Sequence, residues 1–294
     1  MKIYYSNEKI EYPFPAIALG NFDGIHLGHL EVINNAKRVG KSYGVLLFKH
    51  HSSEGIKVIT PLEEKLRILS SIGVDFAYVV NFNDLKNMSC SEFCEYLNGI
   101  GIKYVSVGYD YRCGKGASAD AEELKTELFK LGIEIVIAEP VYFGTDAVKS
   151  SIIRNLVSTG DIETANELMT RPMRISGFVV KGLQNGRKLG FPTANIEISN
   201  EQLLPKDGVY CSRCRYLDKV SAAVLNVGKN PTFDAKNRTV EVHILDYDGQ
   251  LYGEKIDIDI YKRIRDEIKF ESMEELSGQI RLDREYVISW RDGK

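Results

Sequence analysis

The first half of the chain alternates between short apolar runs and segments whose apolar residues recur at helical spacing. Apolar runs predict buried strands at 16–19, 44–48, 76–80, 104–107 and 134–137. The helical pattern predicts helices at 30–39, 62–72, 89–97 and 121–131. Strands alternating with helices indicate a parallel sheet with helices on both faces. We therefore expect a Rossmann-like α/β domain over residues 1–170.

The pattern changes after Thr170-Arg171-Pro172, which ends a predicted helix over 162–169. Short runs of alternating apolar residues follow at 175–180, 208–216, 222–227, 240–245 and 255–261. Turn residues such as Asp248-Gly249 separate these runs, which is typical of a small antiparallel barrel. A helix from Ser272 to about Trp290 is predicted to end the chain. The second domain is expected to occupy residues 171–294.

Three helix starts carry the capping-box sequence, in which a hydroxyl residue precedes an acidic residue by three positions. The boxes are Thr60-Pro61-Leu62-Glu63, Ser89-Cys90-Ser91-Glu92 and Ser272-Met273-Glu274-Glu275. In each box, we expect the first side chain to accept a hydrogen bond from the fourth residue's amide.

The turn Gly20–His29 carries the most informative chemistry in the chain. It joins the strand at 16–19 to a helix, and it holds His26 and His29 on either side of Gly28. Backbone amides and the positive helix end favour phosphate there, and each imidazole can donate to a phosphoryl oxygen. The pattern predicts stabilisation of charge at an α-phosphate during nucleotidyl transfer. Metal ligation and ordinary partly buried histidines are the alternatives.

Two later segments are predicted to lie near the same edge of the sheet. Gly108–Gly116 follows a strand, and its alternative interpretation is a surface loop. Ser150 and Ser151 open a helix with Arg154 one turn later, a combination that can hold a triphosphate. Plain N-capping with a solvated arginine is the alternative for this second segment.

In the second domain, Gly182–Ile196 combines three glycines with the cations Arg187 and Lys188. Thr193 and Asn195 are two apart, so both can point to one side of an extended chain and offer oxygen ligands to Mg²⁺. The spacing does not match a P-loop, so kinase chemistry would need another fold. A glycine-rich hairpin with a polar strand is the alternative.

Composition favours a small-molecule enzyme of the cytoplasm. The 294 residues are 44% hydrophobic and 27% charged, with a net charge of −3. This charge gives no reason to expect nucleic acid or an acidic membrane surface as a partner. No apolar run approaches a membrane span, and residues 1–12 are too polar for a signal peptide. The five cysteines are expected to be reduced and structural.

The motifs of the first domain resemble those of the FAD synthetase half of bacterial bifunctional riboflavin kinase/FAD synthetases. The resemblance rests on Asn21–His29, Val107–Tyr111 and Ser-Ser-x-Ile-Arg at 150–154. It implies an α/β nucleotidyltransferase domain with an H-x-G-H motif that transfers AMP from ATP to FMN. It also implies the roles of individual residues: His26 and His29 in catalysis, Asp110 and Asp120 toward the flavin, and nucleotide binding by Asn21, Asp23, Gly28, Ser150, Ser151 and Arg154.

The second domain closely resembles riboflavin kinase over nearly all of residues 173–285. The match includes Gly182–Ile196, Asn226–Phe233 and Glu241–Leu245. It implies a small antiparallel β-barrel riboflavin kinase domain with a C-terminal helix. The implied roles are a general base at Glu241, Mg²⁺ ligands at Thr193 and Asn195, flavin contact at Arg281, and nucleotide binding at Gly182, Gly190 and Pro192.

The first domain departs from its family pattern near the expected site. His50 lies where many relatives have F-x-P-H-P, Ala117 and Ala119 replace an arginine and a glycine, and Lys149 replaces a small hydroxyl residue. Three functions therefore stay open: a bifunctional enzyme using ATP, riboflavin, FMN and Mg²⁺, a riboflavin kinase with a weak or inactive adenylyltransferase domain, and a non-catalytic flavin-binding regulator. The sequence does not indicate an oligomeric state.

Overall fold

The computed structural model describes residues 1–6, 8–50, 55–182, 190–229 and 238–293. The chain forms two compact units, Met1–Ser150 and Ser151–Lys294. This division falls ahead of residue 171, where the sequence pattern changes, so the helices just before that point belong to the second unit. The functional boundary at 170–171 stays a prediction.

The first unit contains a six-stranded parallel sheet with the order β1-β4-β3-β2-β5-β6. Its strands are β1 Lys2–Tyr5, β2 Pro15–Leu19, β3 Ser42–Phe48, β4 Phe76–Val80, β5 Tyr104–Gly108 and β6 Glu134–Ala138. A small hairpin, β7 Tyr142–Phe143 and β8 Asp146–Ala147, follows. The helices are α1 Leu27–Val39, α2 Leu62–Ser71, α3 Phe82–Leu85, α4 Cys90–Gly99 and α5 Ala121–Lys130, and α6 Ser150–Thr159 begins at the last residue of this unit.

Alternation along the strands sends side chains to two separate cores, one on each face of the sheet. In β2, Ile17 and Leu19 pack in the core that contains Leu97 of α4 and Leu124 of α5. Their neighbours Ala16 and Ala18 pack in the opposite core, which contains Val32 and Ile33 of α1 and Leu69 of α2. The prediction of a parallel α/β sheet covered on both faces is confirmed.

The predicted capping boxes have different outcomes. The box at Ser89 forms, with Glu92 returning a bond to the Ser89 amide. The box at Thr60 is wrong: Pro61 caps α2 without a side-chain bond, and the Thr60 amide donates to Asp23 instead. A distant carboxylate has replaced the local partner.

At the C-terminal helix, half of the predicted box forms. The Ser272 hydroxyl accepts from the Glu275 amide, but the Glu275 carboxylate accepts from Glu271 rather than Ser272.

The second unit contains α6 from Ser151 onward, then α7 Ile162–Met169. A closed six-stranded antiparallel barrel of order β10-β13-β12-β11-β14-β9 follows. Its strands are β9 Met173–Val180, β10 Ala194–Ile198, β11 Gly208–Tyr216, β12 Lys219–Lys229, β13 Arg238–Ile244 and β14 Lys255–Arg265. The helix α8, Met273–Asp292, follows. The predicted barrel and C-terminal helix are confirmed, and β10 is the strand that the alternation pattern did not count.

Helix α8 packs on the outer face of β11 and β12. Val287 is buried with Val209, Cys211 and Val224. The Arg265 guanidinium also donates three hydrogen bonds, of 2.9, 3.2 and 2.6 Å, to the Asp283 carboxylate of α8, which is only 3% exposed. Because a buried carboxylate needs such partners, this pair fixes where the helix lies on the barrel.

All five cysteines are free and buried. Burial raises the pKa of Cys94 and of Cys214 to about 12, so these thiols stay protonated at neutral pH. Within the described part of the chain, no helix has both the length and the apolar character needed to cross a membrane.

Candidate active sites

The two histidines of the first unit stack against each other at the start of α1. Their ring centroids are 3.7 Å apart at an interplanar angle of 18°. His26 is the N-cap residue, and its Nδ1 accepts from the His29 amide at 3.3 Å. This cap lengthens α1, which begins at Leu27 rather than at the predicted Leu30. Gly28 allows the His26 ring to lie close to the backbone of the helix, since a Cβ at this position would be 3.3 Å from that ring.

The backbone of this turn is strained. Phe22 and Ile25 have φ values of 47° and 39°, although neither is a glycine, and Gly24 between them has φ of 89°. Left-handed backbone is unfavourable for a β-branched residue such as Ile25, so the surroundings must impose it. Phe22 and Ile25 are fully buried, and the Phe22 ring lies 5.2 Å from the His29 ring. Burial of these two side chains holds the turn in its shape.

Asp23 ties the turn to its neighbours. Its buried carboxylate accepts from the Ile59 amide at 3.2 Å and the Thr60 amide at 3.0 Å. Its carbonyl accepts from the Ser150 hydroxyl at 2.7 Å. The buried Lys65 ammonium donates to the Asn21 carbonyl at 2.7 Å. Three segments distant in sequence thus anchor one turn. The sequence pattern did not identify Lys65, because its role depends on the packing of α2.

A cavity of about 880 Å³ lies beyond the carboxyl ends of β2 and β5. This is the edge where ligands of open α/β sheets bind, and the volume is in the range of small-molecule sites. Six of the residues predicted for the first site line it: Asn21, His26, Gly28, His29, Asp110 and Ser150. The structure therefore brings together residues from three separated segments of the sequence.

The other predicted residues of this half do not line the cavity. Asp23 is fully buried within the turn, and Asp120 is the N-cap of α5, where it accepts from the Glu122 and Glu123 amides. Ser151 is exposed at the start of α6, and Arg154 is half-buried one turn further along that helix.

The four residues that depart from the family pattern lie in three different environments. Ala117 and Lys149 line the cavity, Ala119 is buried in the core, and His50 is exposed after β3.

The second candidate site is a row of polar side chains across three barrel strands. Glu241 of β13 pairs in register with Asn195 of β10 and with Asn226 of β12. Residues directly opposite each other share a face of the sheet, so one carboxylate lies between two amides. The Thr193 hydroxyl donates to Glu241 Oε2 at 3.3 Å. Burial raises the pKa of Glu241, and the bond from Thr193 lowers it in part. A carboxylate with a raised pKa is suited to accept a proton near neutral pH.

The segment leading into β10 is held close to this row. A Cβ on Gly182 would lie 2.1 Å from the Asn195 amide nitrogen, so a larger residue here would require the Asn195 side chain to move. His243, two residues beyond Glu241, donates from Nδ1 to the Pro192 carbonyl at 2.8 Å. Gly190 is exposed with φ of 81°. The predicted cations Arg187 and Lys188 and the stretch Asn230–Phe233 lie outside the described residues.

Sequence reasoning gave no role to His243 or Asn226, although both lie in motifs that it quoted. His243 had a detectable signal, since it is two residues from Glu241 on the same strand face. Asn226 had none, because its neighbour Glu241 is set by the register of β12 and β13. Arg281 is exposed on α8.

The donors around Glu241 fit a hard divalent cation. Thr193 and Asn195 offer hydroxyl and amide oxygens, which are ligands that Mg²⁺ accepts. The described residues contain no group of three His, Cys, Asp or Glu side chains that could hold a metal by themselves. An ion here would therefore complete its coordination with water and substrate phosphate, as Mg²⁺ commonly does.

Together, the fold and the two sites define an ATP-using transferase with one α/β nucleotidyltransferase unit and one barrel kinase unit. Two family models match the chain: FAD synthetase over residues 12–152 and riboflavin kinase over residues 169–290. The bifunctional riboflavin kinase/FMN adenylyltransferase of Bacillus subtilis is 35% identical, over 96% of this chain and 94% of that protein. The protein of the same name from Escherichia coli K12 is 32% identical, over 91% and 90%. The chain belongs to the bifunctional riboflavin kinase/FMN adenylyltransferase family.

A crystal structure described as a macrolide-efflux protein from Streptococcus pneumoniae has the same fold. It superposes with a TM-score of 0.88 at 29% identity, covering 99% of this chain and all of that one. Its description names another activity, whereas both family models and the curated relatives name flavin enzymes.

Proposed function

We propose that this protein phosphorylates riboflavin to FMN in its barrel unit and adenylylates FMN to FAD in its α/β unit. The observation that carries the proposal is the cavity in which the His26–His29 stack meets Asn21, Asp110 and Ser150. Family membership supports both reactions, since each unit matches the model for one of them.

In FAD formation, an oxygen of the FMN phosphate attacks the α-phosphorus of ATP. The bond from that phosphorus to the bridging oxygen breaks, and pyrophosphate leaves. His26 and His29 donate to the α-phosphoryl oxygens as negative charge builds on them. The stack, the cap and the strained turn hold both rings in place before substrate arrives, so little reorganisation is needed during the reaction. Asn21, Gly28, Ser150, Ser151 and Arg154 are proposed to bind the phosphates, with Asp23 supporting their turn.

In FMN formation, the ribityl 5′-oxygen attacks the γ-phosphorus of ATP, and ADP leaves. Glu241 accepts the proton of that 5′-hydroxyl during the attack. Thr193 and Asn195 are proposed to hold Mg²⁺, which would neutralise phosphate charge when bound. Gly182, Gly190 and Pro192 are proposed to surround the nucleotide. Arg281 is proposed to contact the flavin of this site, and Asp110 and Asp120 the flavin of the other. We place both reactions in the cytoplasm, with small molecules as the partners.

The test is a chromatographic time course of the full chain with riboflavin, ATP and Mg²⁺. FMN that appears first and FAD that follows it are the expected products. FMN without FAD would favour the second candidate, a kinase with an inactive α/β unit, for which Lys149 at the cavity is the motivating departure. A protein that binds riboflavin and forms neither product would contradict both and favour a flavin-binding regulator.

A further inference from the structure

An ion pair is part of the lining of the cavity in the α/β unit. The Lys149 ammonium lies 2.7 Å from Asp110 Oδ2 and 5.3 Å from the centre of the Tyr109 ring. Both charged side chains line the cavity and are about half exposed, at 44% and 51%. The pair joins the loop after β5 to the residue just before α6. Because it is open to solvent, the pair can exchange partners at little cost.

Lys149 is close to two parts of the site, the histidine turn and the loop after β5. The preceding carbonyl, of Val148, lies 3.2 Å from where a Cβ on Gly28 would be, so this segment runs against the histidine turn. The following residue, Ser150, is bonded to the carbonyl of Asp23 in that turn. The Lys149 side chain contacts Tyr109 and Asp110 of the loop after β5. The backbone at Lys149 therefore adjoins the histidine turn, and its ammonium contacts the loop proposed to face the flavin.

We propose that Lys149 binds the 5′-phosphate of FMN and determines the selectivity of the adenylyltransferase site for FMN over riboflavin. This inference rests on the proposed function. The nucleophile is a phosphate that approaches the anionic triphosphate of ATP, so a cation between the two lowers their repulsion. A phosphate dianion attracts an ammonium more strongly than the single charge of Asp110 does, and it takes the place of that carboxylate. The hydrogen bond with Asp110 raises the pKa of Lys149, which keeps the ammonium charged at neutral pH.

The test compares Lys149→Ser and Lys149→Arg in a Glu241→Gln background, where riboflavin is no longer converted to FMN. FAD formation from added FMN gives KM for FMN and for ATP, and riboflavin is titrated as an inhibitor. For Lys149→Ser we expect KM for FMN to rise about tenfold, equivalent to about 1.4 kcal/mol. We expect KM for ATP and the inhibition constant of riboflavin to change less than twofold. Lys149→Arg should restore most of the FMN affinity. Added salt should reduce the difference in KM for FMN between the Lys149→Ser variant and its parent, because salt screens the charge of the ammonium.

Lys86→Ser is the matched control, because Lys86 is an exposed lysine that lines the same cavity. It should change KM for FMN less than twofold, and an effect equal to that of Lys149→Ser would show that only the total charge of the cavity matters. An equal rise in KM for ATP, or no rise for FMN, would overturn the assignment of Lys149 to the FMN phosphate. If the Glu241→Gln parent makes no FAD from FMN, the adenylyltransferase assignment itself fails, and this inference fails with it.

Discussion

The two units place phosphate chemistry in different ways. In the α/β unit the reactive side chains come from one turn, and backbone geometry fixes them: His26 caps the helix that carries His29. In the barrel the reactive carboxylate is one member of a row across three strands, and the register of β10, β12 and β13 fixes it. The first site thus depends on local strain and anchoring, whereas the second depends on correct strand pairing. Substitutions should therefore separate the two activities cleanly.

The largest separation is expected from Glu241→Gln. The amide cannot accept the ribityl proton, so FMN formation should fall by about 10²- to 10⁴-fold. FAD formation from added FMN should stay within twofold of the parent, because the residues proposed for that reaction lie in another part of the fold. Initial rates with riboflavin and with FMN, measured on the same preparation, check this. Loss of both activities in a folded protein would contradict the two-site comparison.

The reverse separation is expected from His29→Ala. Removal of one preorganised donor to the α-phosphoryl group should lower FAD formation by about 10²- to 10³-fold. FMN formation from riboflavin should be unchanged and serves as the internal control. The measurement is the accumulation of FMN and FAD over time by chromatography. A parallel loss of FMN would mean that the histidine stack supports the whole chain rather than one site.

A smaller effect is expected from Gly28→Ala, which tests local geometry without removing a reactive group. The new methyl would press on the His26 ring and on the Val148 carbonyl, so we expect FAD formation to fall about tenfold through lost preorganisation. Gly99→Ala is the matched control: it lies at the end of α4 in the same unit, and a Cβ there meets nothing within 4 Å. Equal losses for the two variants would argue against a special requirement at Gly28.

The smallest effect is a difference in pH dependence between the two reactions. Burial raises the pKa of Glu241, and the base must be deprotonated to act. As pH falls, kcat/KM for FMN formation should therefore begin to drop at a higher pH than an ordinary glutamate would give. When FAD formation is measured in the same buffers, its kcat/KM should not show the decrease at low pH that protonation of Glu241 causes in FMN formation. A kinase acid limb in the ordinary glutamate range would contradict the role of burial.

The sequence predicted the sheet and barrel well because their strands are apolar runs or alternating patterns, which are local signals. It missed β1 and β10, where polar residues such as Lys2, Asn195 and Glu197 interrupt the pattern. The box at Thr60 was wrong because Asp23, 37 positions earlier in the chain, takes the Thr60 amide. Local patterns cannot include such a partner.

The candidate sites show the same contrast between local patterns, which the sequence reveals, and contacts between distant segments, which it does not. The His26/His29 spacing and the helix start were enough to predict a phosphate site, because all of its parts lie within ten residues. The pairing of Glu241 with Asn195 and Asn226 depends on strand register, and the Lys149–Asp110 pair depends on how two loops meet. These contacts join segments far apart in sequence, so only the folded chain reveals them.

The closure of the barrel has a consequence for the order in which the protein is made. Its first strand, β9, pairs with its last strand, β14. Across this pair, Arg174 donates a hydrogen bond to Asp259, 85 positions later in the chain. A ribosome releases the chain from its N-terminus, so the parallel sheet can assemble once β6 has emerged. The barrel must wait for β14, and long-range pairing of this kind is slow. During synthesis, the α/β unit should therefore be complete while the future kinase is still an open set of strands.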